Sequence, residues 1–224
     1  MTLYKLNKTV LYFKNNAEQF LNGLTSNDMD KPVNAALNIH GRIVATFDQL
    51  KLSEEDVLVV VETTFLEPLL AHFDRYVLLA GIKIKKEKYD VFFDLESNYQ
   101  IDHKEYCIFH KKGRIILASH TPQGPFVSDE EFRLFRLKNN IPWFGVDYDP
   151  EEMLLNVSED FVSYTKGCYL GQEFISKVHS RSKPTWKLIV KYEDECSGEE
   201  KQKMTSKAID PTTQRTLGFV FVKN

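Results

Sequence analysis

Short apolar runs alternate with helically spaced apolar residues from the start of the chain. Leu3–Leu6 and Val10–Phe13 lie on either side of Asn7-Lys8 and predict a small hairpin. Ala17, Phe20, Leu21 and Leu24 follow at helical spacing. Asn16 stands where a cap belongs, and Thr25-Ser26-Asn27-Asp28 supplies turn chemistry at the other end. Ala35–Leu37 and Ile43–Phe47 read as two strands of a hairpin, with Gly41 at its tight point. The strand Val57–Glu62 comes next, and then a second helix that Thr64 and Glu67 would open as a capping box. Leu66, Leu69, Leu70 and Phe73 are its buried stripe. Ile82 and Ile84 alternate with Lys83 and Lys85, which predicts a half-buried strand.

Val91–Leu95, Tyr106–Phe109 and Ile115–Ala118 continue as strands. Asp129 and Glu130 fit the first turn of a third helix that carries Phe132, Phe135 and Arg136 and stops at Asn139-Asn140. Asp149-Pro150 would open a short helix. Strands Trp186–Tyr192 and Leu217–Val222 close the chain, and the polar stretch Glu193–Lys207 reads as a long loop between them. The series predicts an α+β fold of mainly antiparallel sheets. Its expected divisions are an N-terminal α+β domain over 1–122, a middle segment over 123–183 and a short C-terminal β region over 184–224.

Composition narrows the picture. In 224 residues, 42% are hydrophobic and 27% charged, enough for a buried core in a soluble chain. A net charge of −3 gives no general drive toward nucleic acid, so such a partner would need a local basic patch. Lys83, Lys85, Lys86 and Lys88 form one basic run, read as a solvated strand edge, with a transfer-RNA surface as the sharper alternative. No apolar stretch has the length of a signal peptide or a membrane span, and the three cysteines make no CxxC pair. A cytoplasmic, reducing setting with no membrane partner is the expectation. His103, Cys107 and His110 lack a second ligand cluster, so no metal site is assigned.

The segment Lys166-Gly167-Cys168-Tyr169-Leu170-Gly171-Gln172-Glu173 concentrates the candidate chemistry. Its glycines open backbone shapes closed to other residues. A lysine two positions before Cys168 can lower a thiol pKa. The amide of Gln172 and the carboxylate of Glu173 can read the donor–acceptor edge of a flat heterocycle. The plain alternative is a glycine turn between strands with an ordinary cysteine.

This segment resembles the K-G-C-[aromatic]-x-G-Q-E signature of the YgfZ family, the folate-binding relatives of the glycine-cleavage aminomethyltransferases. Further segments resemble the same family in the same order. They are Phe20–Asp28 (F-L-x-G-L-T-S-N-D), Gly41-Arg42-Ile43 in a hairpin where His40 replaces a usual glutamine, and Arg75–Leu78 (R-Y-x-L) after the second helix. Arg136 with Ile141-Pro142 and Gly145 matches a further segment, followed by Glu152. The resemblance spans roughly 17–183.

The resemblance implies an aminomethyltransferase/YgfZ-like fold with tetrahydrofolate or a one-carbon derivative as bound ligand. It implies a support role for iron–sulfur cluster assembly proteins or their client enzymes, including enzymes of tRNA modification. Cys168 is then the functional thiol, open to roles as nucleophile, transient metal or cluster contact, or redox handle. Lys166, Tyr169, Gln172, Glu173, Asn27, Asp28, Arg136 and Lys177 are the candidate ligand-binding residues. Arg75, Arg136 and Lys177 suit the anionic tail of a folate, and His179 is either near the ligand or a solvent-facing strand residue. The thiol and the amide–carboxylate pair are expected to face a cavity large enough for a pterin.

Two departures carry weight. Thr46 stands where the aminomethyltransferases carry an aspartate, and a hydroxyl cannot act as their general base. Asp48 lies two residues on and can share that face. Lys177 and Arg181-Ser182 occupy the places of an R-x-x-x-R-G segment. Whether the chain is an enzyme stays open. A non-enzymatic accessory role is favoured, and a folate-dependent aminomethyl or one-carbon transferase is the alternative.

Overall fold

Five consecutive apolar residues, Val57–Val61, form the middle of the molecule, because a strand apolar on both faces must be covered on both. The computed structural model describes residues 2–181 and 183–224. Met1 and Ser182, the latter one of the departures after the signature, lie outside the described residues. The chain runs β1 (Leu3–Leu6), β2 (Lys8–Lys14), α1 (Ala17–Leu24), β3 (Val33–Leu37), β4 (Ile43–Lys51), β5 (Asp56–Glu62), α2 (Leu66–Ala80), β6 (Lys83–Glu87), β7 (Asp90–Asp94), β8 (Tyr106–Phe109) and β9 (Arg114–Ala118). It continues with α3 (Asp129–Lys138), α4 (Leu154–Val157), α5 (Gln172–Arg181), β10 (Trp186–Tyr192), α6 (Gly198–Lys203), β11 (Thr205–Ile209) and β12 (Thr216–Lys223).

The described strands form three sheets, ordered β3-β4-β5-β2-β6, β1-β7-β9-β8 and β10-β12-β11. Their strand pairings are antiparallel. Alternation along β5 divides the core. Val57, Val59 and Val61 join Phe13, Phe20 and Phe73 beneath α1 and α2. Leu58 and Val60 join Val10, Val91, Ile115 and Phe132 toward the four-stranded sheet and α3. The Phe73 ring meets Phe13 and Phe20 at centroid separations of 5.8 Å each. Each such buried side chain contributes about 1.5–3 kcal/mol. The α+β architecture of mainly antiparallel sheets matches the expectation, and the lysine-bearing β6 is an edge strand.

Several local expectations are corrected. The first two strands are not a hairpin. β1 pairs with β7 and β2 with β5 and β6, so the chain passes from one sheet to the other at Asn7. Asn16 precedes α1 but makes no capping bond with its side chain; the amides of Ala17 and Glu18 donate instead to the Glu55 and Glu54 carbonyls. Thr64 and Glu67 form no capping box, because Thr63–Phe65 is a tight 3-10 turn and α2 begins at Leu66 with no side-chain cap. Arg75–Leu78 lies within α2, not after it. Asp149-Pro150 opens no helix; α4 starts at Leu154, and residues 149–150 belong to a turn. Glu193–Lys207 is not one long loop. It holds α6, capped by the reciprocal Ser197–Glu200 bonds, and the start of β11. His179 sits on helix α5, not on a strand.

The C-terminal sheet is tied to the rest through polar contacts as well as packing. Thr205 Oγ1 donates to Asp147 Oδ1 at 2.7 Å, and Arg136 Nη2 donates to Ser206 Oγ at 2.8 Å. Leu188, Ala208, Leu217 and Phe219 extend the main apolar core.

Candidate functional site

A cavity of about 470 Å³ opens between the five-stranded sheet, the loop after β8, α3 and the segment 139–162. That volume suits a small-molecule ligand. Strand alternation sets its floor. Thr46 and Asp48, two residues apart on β4, both line it. Lys8 and Glu62 line it as direct cross-strand partners at the ends of β2 and β5.

These groups are nearly closed off from solvent and must satisfy one another. Lys8 Nζ lies 2.7 Å from Asp48 Oδ2 and 3.1 Å from Glu62 Oε1. Trp143 Nε1 donates to the same Glu62 oxygen. His110 Nε2 stands 3.2 Å from Asp48 Oδ1, within ion-pair range but outside hydrogen-bond geometry. Thr46 Oγ1 and Tyr148 OH are hydrogen-bonded at 2.8 Å.

Burial alone would raise the Asp48 pKa, but the Lys8 charge and the His110 contact outweigh it and hold the carboxyl at about 2. Burial alone would lower Lys8, and the two carboxylates instead hold its ammonium above the ordinary lysine range. Burial drives the Tyr148 hydroxyl well above the usual tyrosine range. The floor is therefore a fixed array of charges and hydroxyls, and Asp48 is a weak base within it.

Aromatic side chains make the walls. Phe93, Phe132, Trp143 and Phe144 line the cavity, and Trp143 meets Phe132 edge-on at 5.4 Å. Arg136 also lines it, but its guanidinium is already engaged. It bonds Asp147 Oδ2 at 2.7 Å, Ser206 Oγ and the Ile141 carbonyl, and it covers the Trp143 ring at 4.9 Å. Exposed Lys31, Lys111 and Lys112 stand at the rim, Lys111 paired with Asp160 at 2.6 Å.

The signature segment lies elsewhere, where three separate sequence segments meet. Lys166 Nζ donates to the carbonyls of Thr25 and Asn27 at 2.8 and 2.7 Å. The Leu170 amide donates to the Gly23 carbonyl. A Cβ on Gly171 (φ +85°) would stand 2.6 Å from the Asn38 carbonyl oxygen, and one on Gly41 (φ +70°) would press on Phe174 at 3.1 Å. The two glycines let the β3–β4 hairpin and the start of α5 come this close. Burial lowers the Lys166 pKa to about 8 and raises Tyr169 to about 12.

Of the residues expected from the sequence, Asn27 and Arg136 line the cavity. Asn27 also braces its edge, donating from Nδ2 to the Val33 and Asp160 carbonyls. Lys166 reaches the cavity only through Asn27, while Tyr169 is buried in the main core. Cys168 and Glu173 are exposed, Gln172 is half-buried, and none of the three lines the cavity. The thiol and the amide–carboxylate pair therefore do not share it, which corrects the expected arrangement. Gln172 and Glu173 occupy the first turn of α5. Asp28 sits beside Asn27 without reaching the cavity. Lys177 is exposed on α5, Arg75 is exposed on α2, and His179 stacks on Tyr164 at 3.8 Å.

The sequence points to none of Lys8, Glu62, Trp143 and Tyr148 as site residues, and it brings in His110 only as a rejected metal ligand. Lys8 and Glu62 resembled ordinary strand ends. The available signal was a charged residue at the edge of an apolar run, which gains meaning only once the register places the two opposite each other.

No protein-family model matches this sequence, and no curated protein sequence matches it. Among solved structures, the chain is similar to the crystal structure of glycine cleavage system aminomethyltransferase T from Bartonella henselae. The TM-score is 0.76 at 11% identity, over 99% of this chain and 78% of that one. The fold is thus that of an aminomethyltransferase T protein. No helix among the described residues is long and apolar enough to cross a membrane.

Proposed function

We propose that this chain is a YgfZ-like protein that binds tetrahydrofolate or a one-carbon derivative in the central cavity and supports iron–sulfur enzymes, among them enzymes of tRNA modification. The observation that carries the binding step is the cavity itself. It has flat aromatic walls, a charged floor and a lysine-bearing rim within an aminomethyltransferase fold. A pterin offers a flat face to the aromatics and polar edges to the floor, and its carboxylate tail suits the exposed Lys31 and Lys112 better than the engaged Arg136.

An accessory role is favoured over one-carbon transfer. Asp48 lies two residues from Thr46 on β4, and Lys8 and His110 hold it ionised and weakly basic. The iron–sulfur role rests on the resemblance of the Lys166–Glu173 segment, with the exposed Cys168 as the accessible thiol.

Titration calorimetry with tetrahydrofolate tests the binding step. Loss of an aromatic face beneath a flat heterocycle costs about 1–3 kcal/mol. Trp143→Ala is therefore expected to weaken binding by about fivefold or more. No heat of binding to the unmodified protein would overturn the reading.

A further inference from the structure

Resting on the folate reading, we infer that Glu62 is the carboxylate that reads the hydrogen-bond donor edge of the bound heterocycle. The two carboxylates of the floor differ in what they have left to offer. Asp48 Oδ2 is bonded by Lys8 at 2.7 Å, and its Oδ1 stands within ion-pair range of His110 Nε2 at 3.2 Å. In Glu62 the inward contacts converge on a single oxygen, Oε1, which takes Lys8 at 3.1 Å and the Trp143 indole N–H. Oε2 has no hydrogen-bond partner among the described residues, and it is not among the polar atoms sealed from solvent without one. A partnerless carboxylate oxygen that is still accessible, on a side chain lining the cavity, is an acceptor awaiting a donor.

The surroundings pre-set its aim. Lys8 and Glu62 are fixed opposite each other by the β2–β5 register, and the indole bond adds a second restraint. The Glu62 rotamer is thus held before a ligand arrives, so little side-chain entropy is lost on binding. The indole that fixes Glu62 is itself a wall of the cavity, so a flat ring bonded to Oε2 lies alongside aromatic surface. The ligand edge that matches carries adjacent ring and exocyclic N–H donors, as in a 2-amino-4-oxopyrimidine. A site built around such a donor rejects the analogue that lacks it, because the carboxylate oxygen is left unpaired. Glu173, the acidic residue the sequence singled out for this task, is exposed on α5 and does not line the cavity.

The test compares tetrahydrofolate with its 2-desamino analogue, in which hydrogen replaces the exocyclic amine. Titrations use the unmodified protein, Glu62→Gln, Glu62→Asp and Asp48→Asn, with thermal melts to verify folding. The unmodified protein is expected to prefer tetrahydrofolate by about tenfold or more. Glu62→Gln, and Glu62→Asp, which keeps a charge beside Lys8 but withdraws the oxygen, should bind tetrahydrofolate correspondingly less and lose most of that preference. Asp48→Asn should keep it. Full preference in both Glu62 variants, or no preference in the unmodified protein, would overturn the inference while leaving folate binding intact. Failure of the unmodified protein to bind either ligand would overturn the folate reading and this inference together.

Discussion

Asp48 owes its ionisation to its neighbours, and that dependence has a measurable sign. Its folded pKa of about 2 lies below the ordinary value of 3.8, so the folded state favours the ionised form. A depressed acid contributes stability that is fully present above the unfolded pKa and is lost as pH falls through the folded one. The window is therefore from about pH 4 down to about pH 2. Denaturant unfolding of the native chain should lose on the order of 2 kcal/mol more across this window than Asp48→Asn does. At pH 7 the variant should be the less stable protein, because Lys8 keeps only Glu62 as a close partner. Equal acid profiles for the two proteins would remove the ion pair from the account. The sequence anticipated that Asp48 can share the face of Thr46, since strand periodicity alone sets that relation. It gave no hint of Lys8, because the partner of a charge depends on which strand lies alongside.

The β3–β4 hairpin and the start of α5 are locked at two glycines, so the contact is sensitive to single methyl groups. Gly171 combines φ +85° with a hypothetical Cβ only 2.6 Å from the Asn38 oxygen, a backbone atom that cannot step aside. Gly171→Ala should cost about 1–3 kcal/mol, or a Tm drop of roughly 2–12 °C for a chain of this size. Gly167→Ala is the control. It lies in the same segment, but nothing stands within 4 Å of its added Cβ, and its melting temperature should barely move. Similar melting temperatures for both variants would show that the close approach carries no energy. Both glycines stand out in the sequence as parts of one motif, yet only one is constrained by its surroundings. A glycine's letter reports permission for a conformation and says nothing of what it faces.

Across the whole molecule, the cavity and the exposed thiol are separate features. Cys168 stands on the surface beside the junction of the hairpin with the signature segment, whereas the cavity floor belongs to β2, β4 and β5. Cys168→Ala is accordingly expected to bind tetrahydrofolate with unchanged affinity by calorimetry. On the proposed function, the same variant should fail to restore iron–sulfur enzyme activity in cells that lack the protein. Loss of folate binding in Cys168→Ala would contradict the separation. Full restoration of enzyme activity would remove the thiol from the proposed role.

Local pattern determined the elements that local forces decide. The Val57–Val61 run gave a central strand, Ala35–Phe47 gave a hairpin with Gly41 in the left-handed region, and the spacing of Leu66, Leu69 and Phe73 gave the inner face of α2. It also singled out Phe20–Asp28, the hairpin glycine and Lys166–Glu173, which the structure brings into contact through Lys166, Leu170 and Gly171. Only the tertiary structure decided that β1 and β2 enter different sheets, that Lys8 stands opposite Glu62, and that the exposed Cys168 lies outside the cavity lining. Periodicity is a property of residues a few positions apart, whereas strand partners and cavity walls are chosen by the burial of surfaces far apart in sequence.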